Sequence, residues 1–414
     1  MIDLVLDEET IACNVALKVM GVGGGGCNAV NSMALGMGLE NVQFVVANTD
    51  VQALAQSCVA SKVQLGKKLT KGLGAGANPE VGRKAAEEDV QAIHQCLAST
   101  DLLFLTAGLG GGTGSGALPV IAQAAKELGI LTIAIVTKPF AFEGARRQKY
   151  ADAALKELQD IVDTLIVVPN QKLVEIADPN ISMLSAFALS NDILKHAIKG
   201  ISDIITKAGH INVDFADVRA IMKDTGYAIM GTAIASGPDR ARQAALQAIS
   251  SPLLENASVK GAKGILINIT GNEKLELQEI NKAATLIYEM VSPDANIILG
   301  SVIDNSLGDD LSVTVIATGL CAEMTKQVSQ EKVIAAQVQL SQAATVTISE
   351  NVIDNLIETI RAAEEERQAE EQHHEETEER IAASQVTDES FGDDDLDTPT
   401  FMRRKDRKHD HTHP

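Results

Sequence analysis

The 414-residue chain contains no tryptophan, and aromatic residues make up only 3% of it. So small a supply argues against an extended platform on which nucleic-acid bases could stack. A basic surplus is missing too: 35 Lys and Arg stand against 56 Asp and Glu, a formal charge of −21. That balance argues against a general nucleic-acid binder, which works by displacing counterions from phosphates. The five cysteines (Cys13, Cys27, Cys58, Cys96, Cys321) are scattered, with neither CxxC nor Cys/His spacing. This is the pattern of reduced thiols rather than of a disulfide framework or a zinc site. Apolar runs such as Ile130–Val136 fall far short of the ~20 residues needed to cross a bilayer. The opening "MIDLVLDEET" is acidic where an export signal would be basic, so a cytoplasmic protein without membrane insertion is expected.

What is present is an α/β pattern. Nearly half of the chain is apolar, enough for a packed core and about two to three domains. Short β-branched runs, "VALKVM", "VQFVVAN", "DLLFLTAG", "LTIAIVT" and "TLIVVP", alternate with helical stretches from Val15 to Val168. Such alternation predicts a mostly parallel sheet covered on both faces. A long helix is expected from Ile181 to Lys207, with Gly209 as its stop. Beyond it, a smaller α/β segment is expected, with strands near Tyr227–Ala235, Gly264–Thr270, Asn296–Val302 and Ser312–Thr318. Its helices are expected near Pro238–Ile249 and Leu275–Met290. After Thr318 the pattern stops, and from Glu364 to Glu379 about every second residue is Glu. That tract reads as a solvated helix or a disordered linker, ending in "DDLDTPTFMRRKDRK" (Asp394–Lys408), a candidate docking peptide.

Two strand–glycine–helix units stand out. "GVGGGGCNAV" follows the strand Val15–Met20 and leads into a helix near Ala29–Ala34. "GGGTGSG" (Gly110–Gly116) follows the strand Asp101–Thr106 and leads into a helix from about Ala117, with Pro119 in its first turn. Backbone N–H groups at such helix starts suit phosphate. Gly21, Gly23 and Gly26 also satisfy GxGxxG, with Asp50 at the end of the next strand, so a dinucleotide site is one reading. The second loop, and a third glycine run "KGLGAGANPEVG" (Lys71–Gly82) that could close over the far end, favour a triphosphate. Both leading loops lack the lysine of GxxxxGK[ST]. Main-chain N–H groups, the hydroxyls of Thr113 and Ser115, and a magnesium ion would then balance the phosphate charge.

A further constellation is "INVDFADVRAIM" (Ile211–Met222). Asp214 and Asp217, three apart at a helix start, fit an N-cap acid with a second acid favourable to the helix dipole. They also fit, less directly, two carboxylates that order a water. Either way they follow the long helix, whose ~25 residues span roughly 38 Å and set them far from the glycine loops.

"GGGTGSG" resembles the tubulin signature loop. With "GVGGGGCNAV", "GLGAGANPEVGR", "VTKPFAFEG" and "NVDFADVR" in order, the stretch from Val15 to Thr318 resembles the tubulin/FtsZ GTPase family. The resemblance implies a tubulin-like α/β fold: a flexible N-terminus (1–14), a parallel-sheet GTP-binding domain (15–180) and a long central helix (181–209). A second, smaller α/β domain that activates GTP hydrolysis (210–320), an acidic linker (321–393) and a docking peptide and tail (394–414) would follow. It implies GTP/GDP and Mg2+ as cofactors, the metal's own ligands being unknown. Phosphate contacts would come from Gly24, Gly25, Gly26, Cys27, Asn28, Gly112, Thr113 and Gly114. Ribose and nucleotide contacts would come from Glu143 and Arg147, and base contacts from Phe187, Asn191 and Asp192. Asp214 and Asp217, with Asn212, would enter the nucleotide pocket of the next subunit in a head-to-tail homopolymer and carry hydrolysis there. Leu396–Lys408 would dock membrane-tethering and regulatory division proteins, placing the filament in the cytoplasm at the division site beneath the inner membrane.

Overall fold

Parallel strands linked by helices build most of the molecule, as the alternation of β-branched runs with helical stretches requires. The computed structural model describes residues 15–36, 39, 41–176, 180–207, 209, 211, 213–251, 254 and 261–320. The linker and docking peptide expected beyond residue 320 therefore lie outside the described residues, as does Asn212. Ten strands are described: β1 (Leu17–Val22), β2 (Val42–Asn48), β3 (Ser61–Gln64), β4 (Leu102–Gly108), β5 (Leu131–Lys138), β6 (Thr164–Pro169), β7 (Gly226–Ala235), β8 (Gly264–Gly271), β9 (Asn296–Ile303) and β10 (Leu311–Thr318). They form one sheet in the order β3-β2-β1-β4-β5-β6-β7-β10-β8-β9.

From β3 to β7 every neighbouring pair is parallel. The β6–β7 pair is the narrow join: only Thr164–Ile166 of β6 meet Gly226–Ala228 of β7. Beyond it, β10 lies antiparallel to both β7 and β8, and β9 returns parallel to β8. The two expected α/β segments thus share one continuous sheet.

The helices are α1 (Gly23–Gly36), α2 (Val51–Gln56), α3 (Pro79–Glu88), α4 (Val90–Leu97), α5 (Gly112–Glu127), α6 (Ala145–Gln159), α7 (Asn170–Ile176), α8 (Met183–Thr206), α9 (Phe215–Met222), α10 (Arg240–Ile249) and α11 (Leu277–Met290). Leu194, Ala197, Ile198, Ile201 and Ile204 of α8 are buried in one cluster with Val30 and Met33 of α1 and with Phe104 of β4 and Ile133 of β5. The opposite face of the sheet buries Ile93 of α4, Leu118 and Ile121 of α5 and Leu158 of α6. Ala244 and Ala248 of α10 and Ile287 of α11 cover β8 and β10.

Two helix starts differ from expectation. Both α1 and α5 begin inside their glycine runs, at Gly23 and Gly112, so Pro119 sits within α5 and not in its first turn. Glycine is a poor helix former, which hides these turns from a propensity reading. Close packing selects it there: a Cβ on Gly116 would lie 1.9 Å from the Pro79 carbonyl oxygen, and one on Gly114 would lie 2.7 Å from that of Gly108. Gly209 follows α8 as expected, for a different reason. It has no left-handed backbone to supply, but a Cβ on it would strike the Ser301 carbonyl oxygen at 1.7 Å.

Candidate functional site

The carboxyl end of β1 runs directly into α1 and that of β4 reaches α5 through Leu109–Gly111, so both helices point their N-termini at the same end of the sheet, where open parallel sheets bind ligands. The turns touch each other: Gly23 adopts φ +72°, and a Cβ on it would lie 2.8 Å from the amide nitrogen of Gly114. Neither helix has an acidic residue in its first turn, and Gly111, the N-cap of α5, provides no side-chain acceptor. The first-turn N–H groups of Gly24, Gly25, Gly112, Thr113 and Gly114 therefore have no helical carbonyl to bond. Backed by two helix dipoles, they favour an anion.

These turns form the floor of a cleft of about 510 Å³. Gly24, Gly25, Asn28, Gly112, Thr113, Gly114, Glu143, Arg147, Phe187 and Asn191 all line it. Three other expected contacts stand apart. Gly26 packs against β4, where a Cβ would meet the Thr106 carbonyl oxygen at 2.4 Å. Cys27 turns its thiol into the core, 3.7 Å from the carbonyl oxygens of Gly21 and Ala47, and burial pushes its pKa up to about 12. Asp192 is exposed and does not line the cleft.

The expected hydroxyl contribution differs as well. Thr113 Oγ1 is 2.7 Å from Thr49 Oγ1 in a buried pair. Ser115 Oγ accepts the Gly110 N–H and does not line the cleft. The third glycine run packs against α5 without lining the cleft: a Cβ on Gly112 would meet Asn78 N at 2.8 Å and Ala75 Cβ at 2.9 Å. Asp50, the acid of the dinucleotide reading, caps α2 through Oδ1, accepting from Gln52 N and Ala53 N, and does not line the cleft. That leaves GxGxxG without its ribose acid.

One aromatic ring, Phe187, lines the cleft despite the scarcity of such residues. Phe140 stacks on Phe142 with centroids 5.1 Å apart, and Phe187 meets both rings edge-on, at 5.1 and 6.5 Å. Phe187 thus offers an apolar surface at the cleft, held by two other rings. Opposite in character, Arg147 is paired with Glu143, which also accepts the Phe140 N–H.

Sequence reasoning missed Thr137, Asn170 and Ser190, which also line the cleft. Thr137 and Asn170 lie at the ends of β5 and β6, where the carboxyl-edge rule directs attention. Ser190, three residues after Phe187 on α8, shares its face and donates to Asn170 Oδ1 at 2.8 Å.

Asp214 and Asp217 lie beyond the other end of α8. Asp214 is the N-cap of α9, its Oδ1 accepting the Asp217 N–H at 2.9 Å. Both acids are exposed, and among the described residues the Asp217 carboxylate has no partner. The capping reading of Asp214 is therefore real, and it leaves Asp214 Oδ2 and the Asp217 carboxylate without a partner among the described residues. The cleft uses Phe187–Leu194 of α8, so at 1.5 Å per residue the helix carries the chain a further ~18–28 Å before the acids are reached. Within one subunit they cannot act on an anion bound at α1 and α5.

Residues 16–178 match the family model described as Tubulin/FtsZ family, GTPase domain, and residues 226–321 that of FtsZ family, C-terminal domain. The chain is 51% identical to the cell division protein FtsZ of Pseudomonas aeruginosa over 335 residues, 81% of this chain and 84% of the relative. It is 50% identical to that of Pseudomonas putida over 336 residues, 81% and 83% of the two. Among solved structures, an empty FtsZ dimer of M. jannaschii superposes with a TM-score of 0.72 at 41% identity, covering 75% of this chain and 90% of that one. A GTPγS-bound protofilament of CetZ2 from Haloferax volcanii shares the fold with a TM-score of 0.63 at 21% identity, over 78% and 100% of the two chains.

Proposed function

The chain belongs to the tubulin/FtsZ GTPase family, and from that premise we propose that its GTP is held by one subunit and hydrolysed with the acids of the next. It is a GTP-binding, self-assembling cell-division protein; the residue roles that follow are our reading. The observation that carries it is a cleft floored by two uncapped helix N-termini at one end of α8, with Asp214 and Asp217 beyond the other end.

In this reading the phosphates rest on the N–H groups of Gly24, Gly25, Gly112, Thr113 and Gly114. Arg147, oriented by Glu143, faces the sugar and phosphate region, while Phe187 and Asn191 contact the base. Gly26 and Cys27 serve by packing the first loop onto β4 and the core. Head-to-tail stacking brings Asp214 and Asp217 of a neighbour to the γ-phosphate, where they orient the attacking water and take up its proton. Asn212 is proposed to help position that water. A contact of one end of the subunit with the other, repeated without closure, gives a filament.

Magnesium fits such a cleft as an ion carried by the phosphates. Among the described residues no three His, Cys, Asp or Glu side chains come together, and Glu143, the one carboxylate of the cleft, is paired with Arg147. A hard cation of this kind keeps several waters and takes few protein ligands. When bound, it supplies charge neutralisation at the phosphates. We further propose that Leu396–Lys408 docks membrane-tethering and regulatory division proteins and that the filament acts in the cytoplasm at the division site.

The shared site is tested by mixing two inactive variants. Asp217→Ala keeps the cleft and loses an acid; Gly111→Asp keeps the acids and places a carboxylate where phosphate would bind. Neither turns over GTP alone, and a 1:1 mixture recovers about a quarter of wild-type turnover, since a quarter of randomly formed interfaces pair an intact cleft with intact acids. A mixture as inactive as its parts would show that cleft and acids must lie in the same subunit.

A further inference from the structure

Far from the nucleotide cleft, one edge of the sheet has a notch. β3 pairs with β2 only from Val45 to Asn48, so among the described residues no strand meets the far side of Val42–Phe44. An open, twisted edge of this kind accepts an added strand. A trough of about 650 Å³ runs along it, rimmed by Lys18, Lys62 and Lys67. Lys18 is nearly buried and donates to the Cys96 carbonyl, while Lys62 reaches the Ser57 carbonyl. Lys67 is exposed. In a chain of net charge −21, three lysines facing one trough with no acid on its rim are a local reversal of sign.

We propose that residues 2–9 of this chain occupy the trough as an added strand beside Val42–Phe44. The pattern "IDLVLD" places Ile2, Leu4 and Leu6 on one side and Asp3, Val5 and Asp7 on the other, the period-2 alternation of a strand with one apolar face. Asp3, Asp7 and Glu9, all on the second side, supply three acids to meet the three lysines. The described chain starts beside the trough: Ala16 N donates to Asp101 Oδ2, and Leu17 opens β1 opposite Val42. From there the notch lies two strand spacings away, about 10 Å. Fourteen residues reach about 46 Å when extended, so residues 10–14 suffice for the crossing and leave the acidic stretch free to pair. The exposed Gln43, Ser61 and Lys62 then become covered, and the edge is closed to strands of other molecules.

Hydrogen exchange on the full chain tests this. Deleting residues 2–9 speeds exchange in peptides covering Val42–Phe44 and Ser61–Gln64 by roughly fivefold or more, and so does Lys62→Glu combined with Lys67→Glu. GTPase activity measures whether both variants remain folded. A carbodiimide joins Asp3, Asp7 or Glu9 to Lys62 or Lys67, and within single chains when light and heavy isotope-labelled protein are mixed. Unchanged exchange after the deletion would overturn the proposal. Crosslinks from Glu364–Glu379 alone, or only between differently labelled chains, would assign the trough to the acidic tract or to a second copy instead.

Discussion

At the scale of the residue, glycines with room for a side chain are better probes than glycines without it. Gly116 has none, and any Cβ there displaces α3. Gly111 has open space and φ −89°, an ordinary N-cap backbone. Gly111→Asp therefore caps α5 with a gain of a few tenths of a kcal/mol at most, while its carboxylate takes the donors meant for phosphate. Thermal unfolding should show an unchanged or slightly raised Tm, and equilibrium titration a loss of GTP affinity of about 100-fold or more, on the order of 3 kcal/mol. The cysteines give a second probe. Cys27 is buried with its pKa at about 12, whereas Cys58 is exposed. Brief iodoacetamide treatment of the native protein at pH 8 should modify Cys58 and spare Cys27, since the thiolate is the reacting form; mass spectrometry of the digest reads this directly. The floor of the cleft was legible in the glycine runs, whereas Glu143, Arg147, Phe187 and Asn191 came only with the family resemblance. The directions of the hydroxyls were not legible, because the partner of Thr113 is Thr49, 64 positions earlier.

At the scale of the element, α8 does most to organise the site, and charges hold its second half. Lys199, Asp203 and Lys207 line one stripe of the helix and meet Asp304 from the turn after β9. Burial alone would raise the Asp304 pKa, but hydrogen bonds from Lys199 and Ser306 outweigh it and hold the carboxyl well below the usual carboxylate range. For Lys199, burial pulls the pKa down, and the bonds to Asp203 and Asp304 more than reverse it. A carboxyl whose folded pKa is depressed contributes stability that is complete above its unfolded value and is lost as pH falls through the folded one. Asp304→Asn should therefore cost roughly 2 kcal/mol near neutrality, less than the ~3–5 for a fully buried pair because both lysines reach solvent. That penalty should shrink below about pH 4, which urea titrations of both proteins across the acid range would follow. A constant penalty down to pH 2 would mean that the carboxylate charge is not what stabilises. Strands of the second half were legible to within a residue or two, since "GILINIT" and "LSVTVIAT" are dominated by apolar and β-branched residues, interrupted only by the polar Asn268 and Ser312. The starts of α1 and α5 were hidden because glycine, chosen there for close packing, reads locally as a turn.

At the scale of the whole molecule, one sheet unites both halves through three residue pairs of β6 and β7. Nothing local in either strand announces that pairing, so the sequence suggests two units where the backbone builds one surface. In the proposed shared site, function at this scale is set by the separation of cleft and acids. If two subunits complete one site, GTP turnover per subunit falls steeply as the protein is diluted through its assembly threshold, while GTP binding persists. Phosphate release measured alongside sedimentation should show both changes at one concentration, and a constant rate per subunit would contradict the shared site.

The length of α8 has a consequence for the polymer. If the proposed shared site holds, a subunit that grips nucleotide at one end of α8 and offers carboxylates beyond the other stacks cleft to acids along the filament. The axial period is then set from below by the rise from Phe187 to Thr206, about 28 Å. The helix sets a floor for that spacing, and a filament image whose layer lines implied a shorter repeat would contradict end-to-end stacking.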